Sequence, residues 1–89
     1  MNKAGQYKLL LVEDEPIIAF TESLLLNKQN YDVIHALNGE VAIELALQDS
    51  EIDLVLMDID LGSGIDGTEA SKQILEKREL PIVFLTSHS

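Results

Sequence analysis

Short unbroken apolar runs alternate along the chain with longer stretches whose apolar side chains recur at helical spacing. Leu9, Leu10, Leu11 and Val12 form the first run, and the stretch after it opens with Pro16, whose fixed φ suits a first helical turn. Ile17, Phe20, Leu24 and Leu25 then fall at i, i+3, i+7 and i+8, which predicts a helix carrying that apolar stripe. A polar break at residues 27–30 precedes a second strand-like run at residues 31–36, with Val33 and Ile34. Asn38 and Gly39 start a second periodic stretch, with Val41, Ala42, Leu45 and Ala46 on one side and Glu40, Glu44 and Gln48 on the other.

Residues 53–57 (DLVLM) predict a third strand, and residues 82–85 (IVFL), after Pro81, a fourth. Between them, Asp66 with Glu69 three residues on reads as a capping pair opening a helix through Ala70, Ile74 and Leu75. Strands apolar on both faces, separated by amphipathic helices, predict an α/β fold: a parallel sheet covered by helices on both sides, in the order βαβαβαβ. No internal repeat, low-complexity segment or linker interrupts it, and the chain stops just after the fourth strand.

The 89 residues leave room for one domain, and a chain of this size buries only about 60–65% of its unfolded surface, so a modest core is expected. An apolar content of 46% nevertheless argues for a folded chain. Sixteen Asp and Glu against six Lys and Arg give a net charge of −10, and the longest basic run is Lys77-Arg78, which disfavours direct nucleic-acid binding. The absence of cysteine excludes a disulfide framework and a thiolate metal site and makes the cytoplasm the natural compartment. Residues 1–8 are too polar for a signal peptide, and no apolar run approaches the ~20 residues of a membrane-spanning helix, so no membrane association is expected.

In an open parallel sheet the ligand crevice lies outside the carboxyl ends of the strands. There the first run is followed by Glu13, Asp14 and Glu15, the third by Asp58, Ile59 and Asp60, and the fourth by Thr86 and Ser87. If those strands are neighbours, Glu13, Asp14 and Asp58 converge, and carboxylates so crowded are usually relieved by a hard cation on oxygen ligands; Mg²⁺ is the expected ion. Plainer readings exist for each group: the acidic triplet as charge at a helix N-terminus, Asp58 and Asp60 as turn residues, Thr86 and Ser87 as satisfied hydroxyls. The conjunction of all three at strand ends favours a site.

These motifs resemble the receiver domain of two-component response regulators across the whole chain. The resemblance rests on LLLVEDEP with Glu13 and Asp14, LVLMDIDL with Asp58, the Asp66-Gly67 pair opening the third helix, and PIVFLTS with Thr86. It implies a flavodoxin-like (βα)₅ fold with strand order 2-1-3-4-5. It also implies Mg²⁺ held by Glu13, Asp14, Asp58 and the backbone carbonyl of Asp60, Asp58 as phosphoacceptor, and Thr86 as the switch hydroxyl. The phosphoryl donor would be a sensor histidine kinase or a phosphotransfer protein, and a turnover enzyme is not expected.

Departures from the family pattern matter too. Gly62 stands where receivers usually carry Pro, and LGSGIDG looks one residue longer than the common form, so a flexible loop is expected. Gly62, Ser63 and Gly64 without a following Lys are a weak phosphate-loop signal. The family's fifth strand ends in a Lys that neutralises the phosphoryl group, and no position here matches it; residues 1–89 are therefore expected to be a receiver lacking helix 4, strand 5 and helix 5. A fourth strand left as a bare edge offers a route to a homodimer. His35 is expected to be structural and away from the acidic crevice, and His88 to hold no zinc. Two alternatives remain. One is a haloacid-dehalogenase-type phosphatase using Asp58 and Asp60 as its DxD motif, with Thr86 or Ser87 as the second. The other is a degenerate receiver serving as an interaction module.

Overall fold

The computed structural model describes residues 5–62 and 64–86; Ser63, Ser87 and His88, singled out above, lie outside them. The elements are β1 (Lys8–Val12), α1 (Pro16–Lys28), β2 (Asp32–Ala36), α2 (Gly39–Gln48), β3 (Ile52–Asp58), α3 (Gly67–Lys77) and β4 (Ile82–Leu85). All strand pairings are parallel, in the order β2-β1-β3-β4. This matches the expected βαβαβαβ series and the first four strands of a flavodoxin-like sheet. The third strand runs one residue further at each end than its apolar run, so Asp58 is its last residue rather than the first of a turn.

Strand alternation sends Leu10, Val12, Val55 and Met57 into one cluster with Ala42 and Ala46 of α2 and Ala70 and Ile74 of α3. Small residues dominate the helix side of that contact, which lets α2 and α3 lie close against the sheet. Asn38 caps α2 by accepting the Val41 N–H at 2.8 Å, and Asp66 caps α3 by accepting the Glu69 N–H at 2.8 Å. The reciprocal half of the expected capping pair is missing, because Glu69 instead accepts from the Gln73 side chain. Leu75, expected on the buried face of α3, is exposed.

The stripe expected for α1 is also corrected. Ile17, Phe20, Leu24 and Leu25 are exposed, and the helix turns Ala19, Glu22, Ser23 and Leu26 toward the sheet. Its apolar residues occupy almost the whole circumference, so spacing alone cannot select a face, and the small Ala19 wins the close approach. Asn30, at φ +70, ends this helix in the left-handed region Asn tolerates. Leu9 and Leu11 lie buried on the sheet face opposite α2 and α3, while beside α1 a groove lined by Leu11, Glu22, Leu25, Leu56 and Leu85 stays open. Among the described residues no helix is long and apolar enough to cross a membrane.

The amino ends of the strands are tied by charge. Lys8 pairs with Asp49 at 2.5 Å, and its backbone N–H donates to Asp53 at 2.8 Å. Arg78, just past α3, donates to the backbone carbonyls of Ala46, Asp49, Ser50 and Ile52 at 2.6–3.0 Å, closing the C-terminal end of α2.

Candidate functional site

Because β1 and β3 are neighbours with Val12 level with Met57, the residues that follow them, Glu13 and Asp58, come side by side at the carboxyl edge of the sheet. Asp14 joins them: one carboxylate oxygen from each of Glu13, Asp14 and Asp58 lies within 4.8 Å of the others. Glu13 is 4% exposed and Asp58 2%, so neither charge is well solvated. Burial, first of all, pushes the Glu13 carboxyl up to about 7, against a partly offsetting hydrogen bond from the Glu15 N–H and with the neighbouring Asp58 adding to the rise.

Backbone donors hold one oxygen of each acid. Glu13 Oε2 accepts from Glu15 N–H at 3.1 Å, Asp58 Oδ1 from Asp60 N–H at 3.0 Å, and Asp14 Oδ2 from Gly62 N–H at 2.6 Å. Asp58 thus makes the short local bond of an Asx turn while remaining inside the strand, and the turn reading covers only that one oxygen. Its other oxygen, Oδ2, is buried with no hydrogen-bond partner. Crowded carboxylates, one with an orphaned buried oxygen and one with a strongly raised pKa, fit a hard divalent cation on oxygen ligands.

The surroundings explain several sequence features. Gly67 opens α3 against the Asp58 backbone: a Cβ at residue 67 would meet the Asp58 carbonyl oxygen at 2.2 Å, so the Asp66-Gly67 pair combines a helix cap with the one residue that fits. Asp60 is exposed beyond Asp58. Thr86, also exposed, directly follows Leu85, the β4 partner of Asp58, so its backbone stands at the same edge of the sheet.

His35 corrects an expectation. It is structural, but not remote from the acidic crevice: its Nε2 donates to the Glu13 backbone carbonyl at 2.7 Å. The loop expected to be flexible is tied on both sides of Ser63, by Gly62 to Asp14 and by Ile65 N–H to Glu40 Oε2 at 3.2 Å. Glu22 was missed altogether; it lies under α1 with Oε1 buried and unpartnered, and burial first, then the Asp58 charge, raises its pKa. Its one signal in the sequence is helical spacing, which sets Glu22 among the apolar Ile18, Ala19, Leu25 and Leu26.

The family model of the response regulator receiver domain matches residues 9–89. The chain belongs to the response regulator receiver family. The transcriptional regulatory protein ResD of Bacillus subtilis (strain 168) is 37% identical over 87 residues, covering 98% of this chain and 35% of ResD. The receiver thus spans about a third of that curated relative. The N-terminal domain of a response regulator/sensory box/GGDEF protein from Carboxydothermus hydrogenoformans superposes with a TM-score of 0.86 at 46% identity, covering 92% of this chain and 66% of that one. The response regulator TrrA of Thermotoga maritima, solved with Mg²⁺ and BeF, gives 0.87 at 33% identity, covering 94% and 72%. TrrA has also been solved in complex with the histidine kinase ThkA. This chain is therefore a receiver domain of the two-component kind, and the phosphatase alternative draws no support from these relatives.

Proposed function

We propose that this receiver takes a phosphoryl group onto Asp58 from a phosphohistidine of a sensor histidine kinase or phosphotransfer protein, in a Mg²⁺-dependent step. The observation that carries the reading is the buried Asp58 with one oxygen unpartnered, set against Glu13 and Asp14. Glu13, Asp14, Asp58 and the backbone carbonyl of Asp60 would hold the ion, which when bound would neutralise charge on the phosphoryl oxygens. An Asp58 carboxylate oxygen attacks phosphorus; the new P–O bond forms as the P–N bond breaks, and the imidazole leaves with its electron pair. The Asp60 N–H on Oδ1 keeps the carboxylate in place during transfer. Thr86 then donates its hydroxyl to a phosphoryl oxygen, and the added charge of about −2 biases the loops at this edge toward the signalling state.

The TrrA pair, a regulator with its kinase, supports the donor class. The absence of cysteine supports the cytoplasm as the compartment of this reaction. Since the product stays on Asp58, no turnover of p-nitrophenyl phosphate is expected. With a net charge of −10 this domain is expected to make no direct nucleic-acid contact. The bare β4 edge and the open groove beside α1 call for a cover, which further receiver elements or a second copy of the chain would supply.

Backbone amide shifts followed during Mg²⁺ titration test the site. They should concentrate at residues 13–14 and 58–60 and vanish in Asp14→Ala; a diffuse response, or one that survives this substitution, would refute it.

A further inference from the structure

We propose that the backbone N–H of Gly62 is a positioning group for the metal site, holding the Asp14 carboxylate from outside the acidic cluster and tying cation affinity to the loop after Asp58. The inference rests on the metal reading above. Gly62 N–H donates to Asp14 Oδ2 across 2.6 Å, a short charge-assisted bond. Residue 62 can approach so closely because it has no side chain: a Cβ there would lie 2.6 Å from the same oxygen. Asp14 is also the least buried of the three acids, so packing holds it least and this bond matters most to its orientation. With Oδ2 engaged by the loop, Oδ1 is left for a cation. Groups that hold a ligand's spare atom fix its orientation and basicity, and losing one weakens metal binding by about 10–100-fold.

The same loop is held at its other end by a carboxylate outside the cluster. Ile65 N–H donates to Glu40 Oε2 at 3.2 Å, and Gly64, at φ +74, carries the backbone over that side chain. The loop therefore spans two acids, only one of which belongs to the metal site. By linkage, whatever affinity the ion gains from the hold of Gly62 on Asp14 the loop regains as order when the ion binds. A proline at residue 62 would abolish the arrangement, because it has no N–H to donate.

The test compares Mg²⁺ affinity by calorimetry in the unsubstituted protein, Gly62→Pro and Glu40→Gln, alongside hydrogen exchange of the Gly62 amide. Gly62→Pro should bind Mg²⁺ about tenfold or more weakly while Glu40→Gln stays within about twofold. In the unsubstituted protein the Gly62 amide should exchange more slowly once Mg²⁺ saturates. Unchanged or tighter binding by a folded Gly62→Pro, or an equal loss in Glu40→Gln, overturns the inference. Should Gly62→Pro fail to fold, the exchange measurement decides: slower exchange with Mg²⁺ supports the hold, and faster or unchanged exchange overturns it. Binding in the unsubstituted protein with none of these effects sinks this inference alone, whereas no Mg²⁺ binding at all sinks the metal reading with it.

Discussion

Asp58 is 2% exposed beside two other acids with one oxygen unpartnered, an arrangement that costs the metal-free fold stability. Asp58→Asn removes the repulsion while keeping the shape, so without metal it should raise stability by about 1 kcal/mol, or several degrees in Tm, while abolishing phosphoryl acceptance. A lower melting temperature for the variant would contradict this. The same crowding sets a pH dependence. The carboxyl of Glu13 lies at about 7 against an ordinary 4.5, and that of Glu22 is raised as well, burial being the first cause for both. Each binds its proton more tightly in the folded state, so this contribution is complete below about pH 4.5 and drains away as pH climbs toward 7. Asp49 and Asp53 act oppositely: the Lys8 side chain holds the first below its ordinary 3.8, and the Lys8 backbone N–H the second. Their contribution is present above 3.8 and is lost in acid. Metal-free protein should therefore melt at a higher temperature near about pH 5 than near about pH 8, and saturating Mg²⁺ should narrow the gap by taking the place of the protons. A higher melting temperature near pH 8 without metal would refute the assignment.

At the scale of elements, the site depends on where strands stop and helices begin. Gly67→Ala would drive a Cβ to 2.2 Å from the Asp58 carbonyl oxygen, a backbone conflict that moving a side chain cannot relieve. It should displace α3 from β3 and weaken Mg²⁺ binding as well as folding, which thermal melts and a cation titration would both register. Arg78→Met removes a side-chain donor from four carbonyls between the last turn of α2 and the start of β3. That should cost about 1.5–3 kcal/mol while leaving the distant acidic site intact, so reduced Tm with unchanged Mg²⁺ affinity is the expected pair of results. The strands were legible because each is an unbroken apolar run, and the acids were legible because Glu13, Asp14 and Asp58 follow such runs directly. The face of α1 was not, since Ile17, Phe20, Leu24, Leu25 and Leu26 leave no polar side to read. The tethers of Gly62 and Ile65 were hidden too, as their partners Asp14 and Glu40 are far along the chain and a glycine pair in isolation looks only like a loose turn. His35 and Arg78 bind backbone carbonyls, which no residue pattern announces.

Across the whole molecule, a net charge of −10 is combined with apolar surface left open beside α1 and along β4, where Val83 and Phe84 are each 45% exposed. Charge repulsion opposes association and the open β4 edge invites it. The 89-residue polypeptide alone should therefore be marginally stable and self-associate more as salt screens its charge, whereas sedimentation as a single monomer at both low and high ionic strength would contradict this. The claim on which everything else turns is that Asp58 receives the phosphoryl group. It is tested most directly by treating the protein with a small phosphodonor and Mg²⁺, trapping the acyl phosphate with borohydride and mapping the labelled peptide. The account predicts label at residue 58, dependent on Mg²⁺ and absent from Asp58→Asn. Label at Asp60, or undiminished label in Asp58→Asn, would contradict it.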